Sequence, residues 1–264
     1  MEWWWAYLAI GVVVGFLAGL LGIGGGMVMV PMLVFVFSAA GLPAAHLMHL
    51  AIATAMATIV FTSLSSVRAH HRHGGVDWHA ARALAPGIMA GSLGAALGAG
   101  FIPTRPLAVC FTALMFFAAA QMYMDVKPEP QRRLPGAAGL FAAGAGIGAI
   151  SSVLAAGGAF LSIPYLVRRN VPVRRAIGTA AAIGFPIALA GTVGYVLHGM
   201  RTPQLPAGSL GFVYLPALAF VAAASMSTAP LGARLAHRLP VRRLRMVFSL
   251  VLLAFAVRML ANFW

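Results

Sequence analysis

The chain has 264 residues, of which 61% are hydrophobic and only 8% charged. A soluble domain carries about 25% charged residues, so a water-soluble fold is excluded, and too little polar surface exists to solvate a disordered chain. The net charge of +14 is no nucleic-acid footprint, because the 18 cations fall almost entirely in short segments between apolar runs, as membrane orientation requires.

In chain order, the first apolar segment covers 5–38, longer than a single crossing needs. It is interrupted by GIGGG at 22–26. Glycine costs about 1 kcal/mol inside a helix and admits positive φ, so the segment reads as two helical arms, 5–21 and 27–38, around a break. Spans follow at 47–67, 79–100 and 106–124, each near the ~20 residues that cross ~30 Å of hydrocarbon. A charged linker, 125–135, leads to a second long apolar segment, 136–167, broken by AAGG at 155–158. Further spans lie at 174–197, 209–230 and 243–264. The lone cysteine, Cys110, sits inside an apolar run and forms no intrachain disulfide. No cation precedes Arg68, so a cleaved secretory signal is not expected.

The two broken segments are copies of one pattern. GFLAGLLGIGGGMVMVPMLV (15–34) aligns without gaps on GAISSVLAAGGAFLSIPYLV (148–167), sharing Gly15/Gly148, Gly24/Gly157, Gly25/Gly158, Pro31/Pro164 and Leu33/Leu166. AIATA at 51–55 then matches AIGTA at 176–180, and Pro103, Arg105 and Phe111 match Pro240, Arg242 and Phe248. The chain is thus a single transmembrane domain, 1–264, built from repeats 1–124 and 136–264.

The arginines orient it. The connection 168–175 carries Arg168, Arg169, Arg174 and Arg175, and 231–243 carries Arg234, Arg238, Arg242 and Arg243, whereas 198–209 has only Arg201. Basic loops belong on the cytoplasmic side. All of them fall there if each broken segment enters and returns as a hairpin. Each half then has a hairpin plus three crossings, an odd number, which inverts one half relative to the other. The expected fold is an all-α polytopic membrane protein of two inverted repeats, each a Gly-broken helical hairpin plus three transmembrane helices. Both termini lie outside, with Trp3, Trp4, Trp5 and Trp264 as an interfacial belt.

Inverted repeats with paired broken helices mark alternating-access transporters, whose site lies near the midplane. A new helix starts near Met27 and near Phe160, and its first amides and positive dipole end favour an anion. The candidate binding residues are Gly22, Gly24, Gly25, Gly26 and Met27 on one tip, and Gly157, Gly158, Ala159 and Phe160 on the other. The alternative is that these glycines only permit close helix crossing. Thr54 and Thr179, at matched positions, and Thr58 are candidate hydroxyl donors, the alternative being a bond to the preceding turn. Ser151, Ser152 and Ser162 are further hydroxyls of this kind.

The acids are Glu2, Asp77, Asp125 and Glu129, none within a span, so a cation site or carboxylate proton relay has no residue to carry it. The expected substrate is an anion, with no cofactor and no metal. His49, three residues after His46, is a candidate proton-linked group, with an ordinary interfacial histidine as the alternative. The cluster His70, His71, His73 and His79 invites a metal, yet only Asp77 accompanies it. No nucleophile–base pair stands out, so an enzyme is not expected. The competing functions are a metal or cation transporter using the His-rich loop and a non-transporting membrane scaffold.

GIGGGMVMVPMLV, GGAFLSIPYLV, the AIATA and AIGTA blocks, HHRHGGVDW and the closing LPVRRLRMVFSLVLL together resemble the sulfite exporter (TauE/SafE) family of sulfur-compound anion permeases, over essentially the whole chain. The resemblance implies a bacterial inner-membrane permease for sulfite, thiosulfate or organosulfonates such as sulfoacetate. It places the family's glycine motifs at Gly22 to Gly26 and at Gly157 and Gly158. The second copy departs from the fuller glycine pattern with Ala155, Ala156 and Ala159, and Thr54-Ala55 stands where the family often has two hydroxyls. The implied partners are a small anionic substrate and the lipid bilayer, without nucleic acid. The oligomeric state stays open, a homodimer included.

Overall fold

Inside hydrocarbon a helix satisfies its own backbone polar groups, and the long apolar runs fold accordingly. The computed structural model describes residues 3–21, 25–72, 74–124, 135–236 and 241–263. The first half comprises α1 (Trp4–Leu21), α2 (Gly26–Ala39), a 3-10 turn (Ala44–His46), α3 (Leu47–Arg72), α4 (Trp78–Ala99) and α5 (Thr104–Tyr123). The second comprises α6 (Ala137–Val153), α7 (Ala159–Arg168), α8 (Val173–Gly199), strands β1 (Ser209–Leu210) and β2 (Val213–Tyr214), α9 (Leu215–Ala236) and α10 (Val241–Phe263). Most of the linker 125–135 lies outside the described residues.

Among the described residues, five helices are long and apolar enough to cross a membrane: Ala44–Arg72, Trp78–Ala99, Thr104–Tyr123, Val173–Gly199 and Leu215–Gly232. The protein is an all-α, multi-pass membrane protein. One boundary differs from the sequence expectation: the span expected from 209 starts at Leu215. Residues 209–214 instead form an antiparallel hairpin, Ser209 opposite Tyr214, with Gly208 and Gly211 at positive φ. An apolar run alone does not distinguish a short strand pair from the first turns of a helix.

Packing directions follow from small residues that let backbones touch. Along α1, Gly11, Gly15 and Gly19 meet Val221, Ser225 and Ala229 of α9 in ascending order, so the two helices run parallel. Gly87 and Gly91 of α4 meet Phe141 and Ala145 of α6 in the same sense. α3 and α8 run antiparallel, since Met56 lies against Gly191 whereas Gly75, beyond the end of α3, meets Gly178. α1 and α2 fold back on each other: Gly25 faces Val14 and Ala18, and the Tyr7 ring lies 6.1 Å from Phe37 at the open end.

The pairing has an internal symmetry. α1 packs on α9 and α6 on α4; α3 packs on α9 and α8 on α4; α3 meets α8, and α5 meets α10. Exchanging each helix for its counterpart five places along leaves this set unchanged. The core is the contact between α3 and α8, where Met48, Ile52, Met56, Ala180, Ile183 and Ile187 are buried.

Candidate functional site

Each broken segment restarts as a helix on a glycine. Gly25 caps α2 with φ 68° and Gly158 caps α7 with φ 85°, and neither receives a side-chain cap. Left-handed backbone of this kind favours glycine, since a Cβ there costs about 1–2 kcal/mol. Space excludes a side chain as well: a Cβ at Gly25 would lie 2.6 Å from Val14, and one at Gly158 2.7 Å from Ile187. The first amides of α2 and α7, including those of Gly26, Met27, Ala159 and Phe160, have no carbonyl one turn back within their helix. The two tips meet. A Cβ on Gly26 would collide with the carbonyl oxygen of Ala155, with the Ile59 side chain alongside, so the starts of both new helices lie at the α3–α8 core. Met27, Ala159 and Phe160 are buried there. Gly157 lies against Gly184 of α8. Gly22 and Gly24 lie outside the described residues.

The second tip carries a strained alanine, and it has hydroxyls that the first tip's sequence lacks. Ala155 holds φ 47°, a left-handed conformation uncommon for a residue with a Cβ. The Ser151 carbonyl accepts the Ala156 N–H at 2.8 Å, which closes the end of α6. The Ser162 hydroxyl donates to the Gly158 carbonyl. The hydroxyls of Ser151 and Ser152 are fully buried without a hydrogen-bond partner.

The matched threonines do something the sequence did not suggest. The Thr54 hydroxyl oxygen accepts the backbone N–H of Tyr214 at 3.0 Å, and that of Thr179 accepts the N–H of Asp77 at 2.9 Å. Tyr214 immediately precedes α9 and Asp77 immediately precedes α4, so donors as well as acceptors occupy equivalent places in the two halves. Each half therefore holds the start of the other half's fourth helix. Asp77 also caps α4, its carboxylate accepting the Ala80 N–H at 3.0 Å. Thr58 donates to the Thr54 carbonyl one turn back at 2.8 Å, the local bond that mid-helix threonines favour.

At the end of the molecule that holds the start of α3, three imidazoles surround Phe212 of the hairpin. Its ring lies 4.8 Å from His49, 5.9 Å from His46 and 5.9 Å from His198. His49 is buried, with Nε2 3.2 Å from the Ala99 carbonyl and Nδ1 unpartnered. At the opposite end, His71 Nδ1 accepts the Trp78 indole N–H at 3.2 Å. Among the described residues, no three His, Cys, Asp or Glu side chains gather as metal ligands; His73 lies outside them.

The family model described as Sulfite exporter TauE/SafE matches residues 7–259. The chain belongs to the TauE/SafE family. A Haemophilus influenzae protein named "Probable membrane transporter protein" is 35% identical over 254 residues, covering 96% of each chain. A Methanocaldococcus jannaschii protein of similar name is 22% identical, covering 93% of this chain and 91% of its own. The Bacillus subtilis protein "Probable membrane transporter protein YdhB" is 25% identical over 70% of this chain and 76% of its own. No solved structure matches. This TauE/SafE protein is accordingly a multi-pass membrane transporter that handles a small molecule within a lipid environment.

Within this TauE/SafE chain, the sequence marks both glycine-rich breaks and both threonines as candidates but carries no sign of the partners Tyr214 and Asp77. They lie 160 and 102 residues from the oxygens they meet, and a backbone donor has no residue-type signature. His198 and Phe212 are likewise unmarked, because nothing in an apolar turn announces the rings it will touch.

Proposed function

We propose that the protein carries a small sulfur-containing anion, of the sulfite, thiosulfate or organosulfonate kind, across a bacterial inner membrane by alternating access. The observation carrying this is the meeting of two uncapped helix starts, at Gly25–Gly26 and Gly158–Ala159, inside the apolar core. First-turn amides and the positive end of the helix dipole attract an anion, and no span holds a carboxylate for a cation. The solute is moved, not chemically altered.

In this reading the halves are inverted repeats, supported by antiparallel α3 and α8 and by parallel α1/α9 and α4/α6. Arg68, Arg72, Arg82, Arg168, Arg174 and Arg175 gather where α3 and α7 end and α4 and α8 begin, so that end faces the cytoplasm. The chain termini lie outside. His49, with its unpartnered Nδ1 beside two other imidazoles, is the proton-linked group of this reading.

The test is flux in proteoliposomes at matched protein insertion. Gly25→Leu and Gly158→Leu each place a large side chain on a left-handed residue facing α1 or α8, and transport of sulfite should be lost in both. Wild-type flux in both variants would reject the tips as the site.

A further inference from the structure

The Ser151 and Ser152 hydroxyls are 0% exposed and lack any partner, which is costly for a buried donor. A helical serine ordinarily turns its hydroxyl to the carbonyl four residues back. For Ser152 that carbonyl belongs to Gly148, and it already accepts the Ser92 hydroxyl of α4 at 3.0 Å. Ser152 Oγ instead lies in the gap at Gly191, only 2.9 Å from where a Cβ would be, beside the methyl of Met56. Met56 stands one turn of α3 from Ile59, which flanks the contact of Gly26 with Ala155; one turn is about 5 Å of rise. The orphan hydroxyl thus lies next to the meeting of the tips.

Charge at this place is restricted. Residues 3–67, 137–167 and 176–200 contain no Asp, Glu, Lys or Arg. These segments supply α1, α2, α6, nearly all of α7 and the core portions of α3 and α8. An anion held among these segments is met by their backbone dipoles and hydroxyls. The Born cost of dehydration grows with the square of charge, so a dianion costs about four times as much as a monoanion of equal size. The attraction of fixed dipoles and hydroxyls grows only in proportion to charge, so the balance here shifts toward the monoanion.

We propose that the site takes a singly charged sulfur oxyanion and that the Ser152 hydroxyl donates a hydrogen bond to one of its oxygens. This rests on the tip site proposed above and narrows it, favouring simple monoanionic sulfonates and hydrogensulfite over dianions such as sulfoacetate, thiosulfate or sulfate. It also makes the halves unequal, because the first repeat has Ala18 and Gly19 at the matched positions, and Gly19 packs on the Ala229 carbonyl.

The experiment is thermal unfolding of the purified full-length protein titrated with methanesulfonate and with sulfate at equal ionic strength. Methanesulfonate should stabilise the wild type saturably, with sulfate at least tenfold weaker. Ser152→Ala should weaken methanesulfonate by about tenfold, the scale of one hydrogen bond to a charged group. Ser249→Ala, whose hydroxyl donates to the Met246 carbonyl in α10, should bind as wild type. Ser152→Cys keeps the volume but supplies only a weak donor, and it carries the same expectation where alanine does not fold. Sulfate binding as tightly as methanesulfonate would overturn the charge rule. Wild-type affinity in Ser152→Ala would overturn the hydroxyl assignment. Stabilisation by neither anion in the wild type would instead remove the tip site itself.

Discussion

Thr54 and Thr179 stand at matched places in AIATA and AIGTA, and their hydroxyl oxygens accept backbone N–H groups from Tyr214 and Asp77. Each hydroxyl keeps its own proton to donate, so this acceptor role stands beside the donor role expected from the sequence. The consequence is structural. Valine has nearly the shape of threonine but no acceptor, so Thr54→Val or Thr179→Val leaves an amide inside the protein without a partner. Each should cost about 1–3 kcal/mol, read as a lower midpoint of thermal unfolding in detergent. Serine at either position keeps the acceptor and should recover most of that loss. An unchanged midpoint in both valine variants would mean that the two bonds hold nothing.

At the scale of elements, glycine placement separates breaks from contacts. Gly25 and Gly158 take positive φ, whereas Gly91 is an ordinary helical residue whose missing side chain admits the Ala145 backbone of α6. Gly94 lies in the same helix with open space around it. Gly91→Ala should therefore destabilise by about 1–3 kcal/mol, as overpacking does, while Gly94→Ala should stabilise by up to about 1 kcal/mol through helix propensity. Comparing the two unfolding midpoints tests whether α4 and α6 touch where the structure places them. These cases also show what a sequence discloses. The breaks at 22–26 and 155–158 were visible because glycine clusters are costly in long helices and recur in both halves. The hairpin at 209–214 was hidden, since Ser209-Leu210 and Val213-Tyr214 are as apolar as a helical turn. The partner of each helix was hidden too, because in lipid the apolar face does not point to a core.

For the whole molecule, the decisive question is whether the two halves face opposite ways. Ala44, after the first hairpin, and Asn170, after the second, are equivalent exposed positions. If both broken segments simply crossed, three further spans would separate each from the next repeat and the two loops would share a face. If both return as hairpins, the loops lie on opposite faces. Charge favours the second arrangement: Arg168, Arg174 and Arg175 flank Asn170, whereas residues 39–46 contain no Lys or Arg. Gln204, one span beyond Asn170 in the connection after α8, serves as an outer reference. In a Cys110→Ala background, which removes the exposed native thiol, Ala44→Cys and Gln204→Cys should react with an impermeant maleimide on intact cells. Asn170→Cys should react only in inside-out vesicles. Labelling of Ala44→Cys and Asn170→Cys from the same face would make the repeats parallel, and two helix starts entering from one side would no longer form a shared site between opposed halves.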